Sequence, residues 1–406
     1  MNDSPKDKSH KSPQQDSNSK IHGVGRLTID AVLAVTDIVE SLHRRITPLS
    51  ALHTKSEAEQ LSGIGGLVYR NIRNVTQWVG KNIDVPLSAI NQALASQPDS
   101  ASAQTLLAAL NGVLGDYLFV RNNPLAIPMH FRKAGQILTD EQLLEIINQS
   151  DGKLLIMLHG LCMNDLQWCR EGHDHGAELT KESGMGAIYL HYNSGQHISD
   201  NGKQFAGLLE SLVDLTDKKL EINILAHSMG GLVSRSAFHV AENSGHKWPE
   251  RLQKLVFLGT PHHGAALEKA GNWIDLILGV HSYTVPFARL VKVRSSGITD
   301  LRYGNVQESD WHTTERFEFS GDQRLPLPLP DSVRCFAVAT SAKDNINYPL
   351  GDGLVRIKSA LGEHPDPTFN LQIPDSHKWT GTHINHMQLL NDPEVYQVLK
   401  TWFEIK

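Results

Sequence analysis

Apolar residues recur at helical spacing through the first quarter of the chain. Leu27, Ala31, Val35, Ile38, Leu42 and Ile46 form one stripe, and Ile64, Val68, Ile72, Val75 and Val79 form a second. After the polar stretch at 95 to 100, Leu106, Leu110, Val113 and Tyr117 make a third. The pattern predicts a small module of three or four amphipathic helices over residues 25 to 120. Asp30, Asp37 and Glu40 lie on its polar faces where a membrane-seeking helix carries lysines, so the stripes read first as faces that pack on one another. Contact with a membrane surface is the alternative.

Beyond Pro124 the texture changes to short β-rich runs separated by helical segments, the pattern of a mostly parallel sheet covered on both faces. Strands are expected at MHFR (129 to 132), KLLIMLHG (153 to 160), AIYLHYN (187 to 193), INILAHS (222 to 228), KLVFLGT (254 to 260), VRCFAVAT (333 to 340) and FNLQIP (369 to 374). The unbroken apolar runs LLIML and LVFL suit strands buried on two sides. Helices are expected around Phe205 to Leu215 and from Pro393 to the carboxyl end. About seventy residues separate Thr260 from Val333, far more than usually join such elements. This insertion, about 262 to 330, holds apolar patches at 273 to 280 and 285 to 293 and reads as a helical cap.

Composition narrows the classes. A chain of 406 residues, 40% hydrophobic, can bury a large core. With 38 basic and 44 acidic residues the net charge is -6, which speaks against a nucleic-acid partner. Cys162, Cys169 and Cys335 are too few and too scattered for a disulfide framework or a zinc site, and read as small buried apolar residues. The first 20 residues have no apolar stretch and are expected to form a disordered tail. No run approaches the roughly 18 apolar residues of a membrane span. A cytoplasmic protein, peripheral to a membrane at most, is the expectation.

The candidate chemistry centres on Ala226-His227-Ser228-Met229-Gly230. It fits the G-x-S-x-G nucleophile elbow with Ala at the first position, between a strong strand and a plausible helix. The rival reading is a tight strand-to-helix turn with an inert serine. A serine nucleophile needs a histidine base and a carboxylate to fix that histidine's tautomer, following in the order Ser, Asp, His. Asp352, between two glycines, is preferred to Asp344 as the acid; His386, just before MetGlnLeuLeu, is preferred to His383 and His377 as the base. The oxyanion would take the backbone N–H groups of Met229 and Leu161, with Cys162 as the alternative to Leu161. His173-Asp174-His175 is not read as a metal site, because histidines at i and i+2 on a helix diverge, and GlyIleGlyGly at 63 to 66 lacks the strand a dinucleotide site needs. No metal or cofactor is expected. His262 and His263 either line the pocket or support the turn at Gly264.

The series HGLCMND, AHSMGG, GTPHHGA, GDGLV and INHMQLL resembles the lipase and esterase group of α/β-hydrolases, and is similar to the branch related to the GPI inositol-deacylase and bacterial lipase-like proteins. The resemblance covers residues 125 to 406. It implies an α/β-hydrolase fold, Ser228 as nucleophile, Asp352 as acid, His386 as base, and Leu161 with Met229 as oxyanion donors. The expected activity is hydrolysis of a carboxylic ester with a hydrophobic acyl chain. A thioesterase or amidase with the same triad, or a non-catalytic scaffold, are the alternatives.

Overall fold

The computed structural model describes residues 100–265, 295–312 and 324–405, together with Leu87 and Asn91. The stripes before residue 100, the expected tail and both apolar patches of the insertion lie outside the described residues. The chain divides into two compact units, Met1–Ala103 and Gln104–Lys406. The stripe from Leu106 to Tyr117 forms helix α1 (Ala101–Val120), so most of the last helix expected in the amino-terminal module is counted with the second unit. Among the described residues α1 is the one helix long and apolar enough to cross a bilayer, but 61% of its apolar window is buried inside the protein.

The second unit is built on an eight-stranded sheet. Its strands are β1 (His130–Lys133), β2 (Gln136–Ile137), β3 (Lys153–Leu158), β4 (Gly186–His191), β5 (Glu221–His227), β6 (Leu252–Leu258), β7 (Arg334–Ser341) and β8 (Lys378–Thr382). They lie in the order β2-β1-β4-β3-β5-β6-β7-β8. β1 pairs antiparallel with β2 and β4, and the rest are parallel, with Ile156 opposite both Ile188 and Ile224. The helices are α2 (Asp140–Gln149), α3 (His175–Ser183), α4 (Ile198–Asp214), α5 (Met229–Ser244), α6 (Ser296–Tyr303), α7 (Ser309–His312), α8 (Ile357–Ala360) and α9 (Pro393–Trp402). This order of parallel strands, with a serine corner between β5 and α5, is the α/β-hydrolase fold.

The interior strands are buried along nearly their whole length because both faces are covered. On one face Leu155, Met157, Leu225, Val256, Phe336 and Val338 pack with Leu179 of α3 and Val395, Leu399 and Trp402 of α9. Burying such side chains contributes about 1.5–3 kcal/mol each. α2 opens with a capping box, Thr139 and Gln142 each accepting the other's backbone N–H.

Three sequence expectations change. FNLQIP does not form a strand: Pro367–Phe369 is a single 3-10 turn, and Gln372 sits at φ 53, so the segment cannot hold a ladder although Leu371 and Ile373 are buried. The last strand is β8, one turn later, pairing Val338 with Trp379. Cys169 is exposed, while Cys162 and Cys335 are buried as expected. His173 and His175 do not diverge, because helix α3 begins only at His175. Their rings meet, with His173 Nε2 2.8 Å from His175 Nδ1, and His175 Nε2 donates to the Leu389 carbonyl.

One buried ion pair ties the antiparallel edge to the turn that follows β3. Arg132 Nη1 of β1 lies 3.0 Å from Asp165 Oδ1, the side chains being 7% and 2% exposed. Asp165 Oδ2 also accepts the Gly135 N–H. Burial still raises the Asp165 pKa, with the guanidinium only partly opposing it, so desolvation outweighs attraction here. Asp165→Ala should therefore cost about 3–5 kcal/mol in urea unfolding by removing the buried carboxylate that faces Arg132, whereas Arg132→Met with Asp165→Leu together should recover most of that loss. A double variant as unstable as the single would contradict this balance.

Candidate active site

Ser228 stands where β5 turns into α5. Its backbone is at φ 53, ψ -121, a region that costs a non-glycine residue about 1–3 kcal/mol. Hydrogen bonds on either side hold it there: the Ser228 N–H donates to the Leu258 carbonyl at the end of β6 (2.9 Å), and its own carbonyl accepts from Gly231 (3.1 Å). Ser228 is 3% exposed. Ala226 before it is fully buried, so the first elbow position accommodates its methyl group.

Asp352 and His386 come from the loops after β7 and β8. His386 Nδ1 and Asp352 Oδ2 are 2.6 Å apart, and both residues are 1% exposed. The other carboxylate oxygen, Oδ1, accepts two backbone N–H groups, from Leu354 (2.9 Å) and Val355 (2.8 Å). The His386 N–H donates in turn to the Asp352 carbonyl. The acid is thus fixed at both oxygens and faces the Nδ1 proton, which leaves the His386 lone pair at Nε2. That nitrogen is buried and has no hydrogen-bond partner among the described residues. Gly259 after β6 makes room for the pair: a Cβ there would come 3.0 Å from Asp352 Oδ2 and 2.6 Å from Leu389, and its φ of 58 suits glycine.

His227 links this pair to the serine beside it. Its Nε2 donates to the His386 carbonyl at 3.0 Å, and the two ring centroids are 4.7 Å apart. Burial, with His386 nearby, pushes the His227 pKa well below the ordinary imidazole value, so the ring is neutral. No local pattern assigns this histidine a role, although the motif contains it; its one local signal is its place at the buried end of a strand.

The loop after β3 approaches from the other side. A Cβ on Gly160 would lie 3.1 Å from both Ser228 Cβ and His227 Nδ1, so the loop backbone stands against the serine. The Cys162 N–H donates to Ser194 Oγ at 3.0 Å, and Cys162 is at φ 61. That bond engages the Cys162 N–H, whereas the Leu161 N–H has no backbone acceptor among the described residues. Met229 is the first helical residue, so its N–H has no intrahelical acceptor and stands at the positive end of α5. His159 anchors the loop from below: its ring stacks on Tyr192 at 4.3 Å, and the Tyr192 hydroxyl donates to its carbonyl.

The second-choice residues lie elsewhere. His383 and Asp344 form their own pair at 3.3 Å, with side chains 68% and 93% exposed. His377 stacks on Phe336 and faces the Cys335 carbonyl. His262 and His263 are not part of this cluster. Among the described residues no group of three or more His, Cys, Asp or Glu is arranged to hold a metal ion.

A family model for a domain of unknown function, DUF7379, matches residues 120–300. No curated protein sequence matches the chain. Among solved structures, the chain is similar to the mature form of the Bacillus licheniformis lipase BlEst2, with 18% identity, 62% of this chain and 92% of that one covered, and a TM-score of 0.41. It is also similar to YbtT, a type II thioesterase from a yersiniabactin biosynthetic pathway, with 14% identity, coverage of 63% and 93%, and a TM-score of 0.38. For a Pyrobaculum calidifontis esterase the values are 11%, 66%, 91% and 0.37. At these identities and TM-scores no residue role is carried over from them; strand order and the Ser228 corner define the fold.

The imidazoles under the site make stability depend on pH. Burial lowers the His159 pKa to about 4. A depressed folded value means that the unfolded chain takes up the proton first, so stability present above about pH 6.5 is lost as the pH falls toward 4. For His159 alone the urea-unfolding free energy should drop by about 2 kcal/mol between pH 7 and pH 5, and His159→Gln should show a correspondingly shallower decline.

Proposed function

We propose that the protein is a serine hydrolase of carboxylic esters that works through an acyl-enzyme. The observation that carries this reading is the buried 2.6 Å contact between His386 and Asp352, with the opposite ring nitrogen without a hydrogen-bond partner and the His386 carbonyl held by the ring of His227, the residue preceding Ser228. An inert strand-to-helix turn has no need of a buried imidazole held in one tautomer by a carboxylate fixed at both oxygens.

In this mechanism Ser228 Oγ attacks the acyl carbon while His386 Nε2 takes the hydroxyl proton. The carbonyl π-bond opens onto the oxygen, which the N–H groups of Leu161 and Met229 receive. Collapse expels the alcohol, which takes the proton from His386. Water then attacks the acyl-Ser228 ester with His386 as base, and a second collapse releases the acid and restores the serine. Asp352 stabilises the imidazolium formed at each step without accepting its proton. We assign a hydrophobic acyl chain to the substrate, on the apolar character of the insertion's sequence at 273–280 and 285–293.

A fluorophosphonate probe should label the native protein and leave Ser228→Ala unmodified; an unlabelled native protein would leave the scaffold reading in its place. Asp352→Asn should lower kcat by up to about 10,000-fold, because the amide favours the wrong histidine tautomer, while Asp344→Asn should stay near the native rate. Assayed side by side, long-chain aryl esters should be turned over with higher kcat/KM than acetyl esters, and the reverse order would remove the assignment of a hydrophobic acyl group.

A further inference from the structure

The Leu161 N–H shares a peptide plane with the Gly160 carbonyl, and across a trans peptide the two point in opposite directions. That carbonyl accepts His159 Nδ1 at 2.8 Å and the Met163 N–H at 3.4 Å. The Leu161 N–H is therefore turned away from both of these donors. Glycine at 160 puts little steric cost on rotating this plane, so its orientation depends on how firmly the next plane along the chain is held.

That next plane, between Leu161 and Cys162, is held by a side chain from outside the loop. The Cys162 N–H donates to Ser194 Oγ at 3.0 Å, and Ser194, three residues after β4, is only 1% exposed. Cys162 stands at φ 61, a conformation that an L-residue keeps only where its surroundings enforce it. Helix α1 supplies part of that enforcement: a Cβ on Gly112 would come 2.9 Å from the Cys162 Cα and 3.0 Å from its nitrogen, so the helix backbone closes directly over the residue. Ser194 is seated on the same helix through its neighbours. Asn193 Nδ2 donates to the Gly115 carbonyl at 2.9 Å, Asn193 Oδ1 accepts the Gly195 N–H at 3.1 Å, and Gly195 lies against Gly115, where a Cβ would come 2.7 Å from the Gly115 nitrogen. Serine and helix thus grip Cys162 together.

We propose that Ser194 is a positioning residue for ester hydrolysis: by accepting the Cys162 N–H it holds the loop so that the Leu161 N–H meets the oxyanion. The assignment rests on the hydrolase reading. Its effect falls on the transition state and not on substrate affinity, because charge gathers on the carbonyl oxygen only as the tetrahedral intermediate forms. Removing an oxyanion donor outright costs on the order of 100- to 1000-fold in kcat, and loosening one costs less.

Steady-state kinetics and amide exchange on the full chain test this. Ser194→Ala should lower kcat by about 10- to 100-fold on an aryl ester while KM stays within about twofold. Ser194→Thr, which keeps the hydroxyl, should hold kcat within about threefold of the native value. Hydrogen exchange across residues 160–164, read by mass spectrometry, should quicken in Ser194→Ala and not in Ser194→Thr. Should Ser194→Ala not fold, Ser194→Cys, whose sulfur is a weaker acceptor, should show a smaller fall in kcat at constant KM. A kcat unchanged in Ser194→Ala, a rise in KM that accounts for the loss, a threonine variant as slow as the alanine one, or unaltered exchange in this segment would each overturn the assignment while leaving the hydrolase reading standing. A native protein that neither turns over esters nor reacts with a fluorophosphonate removes both.

Discussion

The candidate site depends on one unfavourable backbone conformation being held in place. Ser228 occupies a positive-φ region that an L-residue avoids, and it stays there because its N–H and carbonyl are both engaged, with Leu258 and Gly231. Both partners are themselves fixed, one by the central strand β6 and the other by the first turn of α5. The interior sheet thus supplies the free energy that keeps a single hydroxyl out of regular structure. The same turn places the Met229 N–H beside that hydroxyl, with no intrahelical acceptor.

Around this corner the charges are managed by burial. His159 and His227 are both buried with depressed pKa values, so the imidazoles beside the serine are neutral near pH 7. Against that neutral background Asp352 and His386 are the buried acid and imidazole in direct contact, a pairing strengthened by the low local dielectric. His227 has a double part: it ends the strand that carries the serine, and its ring holds the carbonyl of His386. Ser228 and His386 are therefore linked through one side chain as well as through the sheet.

Much of this was readable in the residues. The apolar runs at β3, β5 and β6 announce strands buried on both faces, and the small residues around Ser228 announce a tight turn, since both are local consequences of side-chain volume and periodicity. Asp352 and His386 meet in a buried pair, and Asp344 and His383 meet each other on the surface. The last strand was misplaced because FNLQIP alternates as a strand does, while the feature that breaks it, a positive φ at Gln372 beside Pro374, depends on how the segment packs under Gly362. The contact between His173 and His175 was missed for a similar reason: where α3 begins decides whether residues two apart diverge.

The sequence by itself determined the kinds of element, their order and the residue types able to do acyl chemistry, because hydrophobic period and turn chemistry act over a few residues. Only the tertiary structure decided which acid meets which histidine, that the Cys162 N–H donates to Ser194, and that His227 holds the His386 carbonyl. Those outcomes depend on distances between segments 32 to 159 residues apart in the chain, which the sheet order fixes and no local pattern encodes.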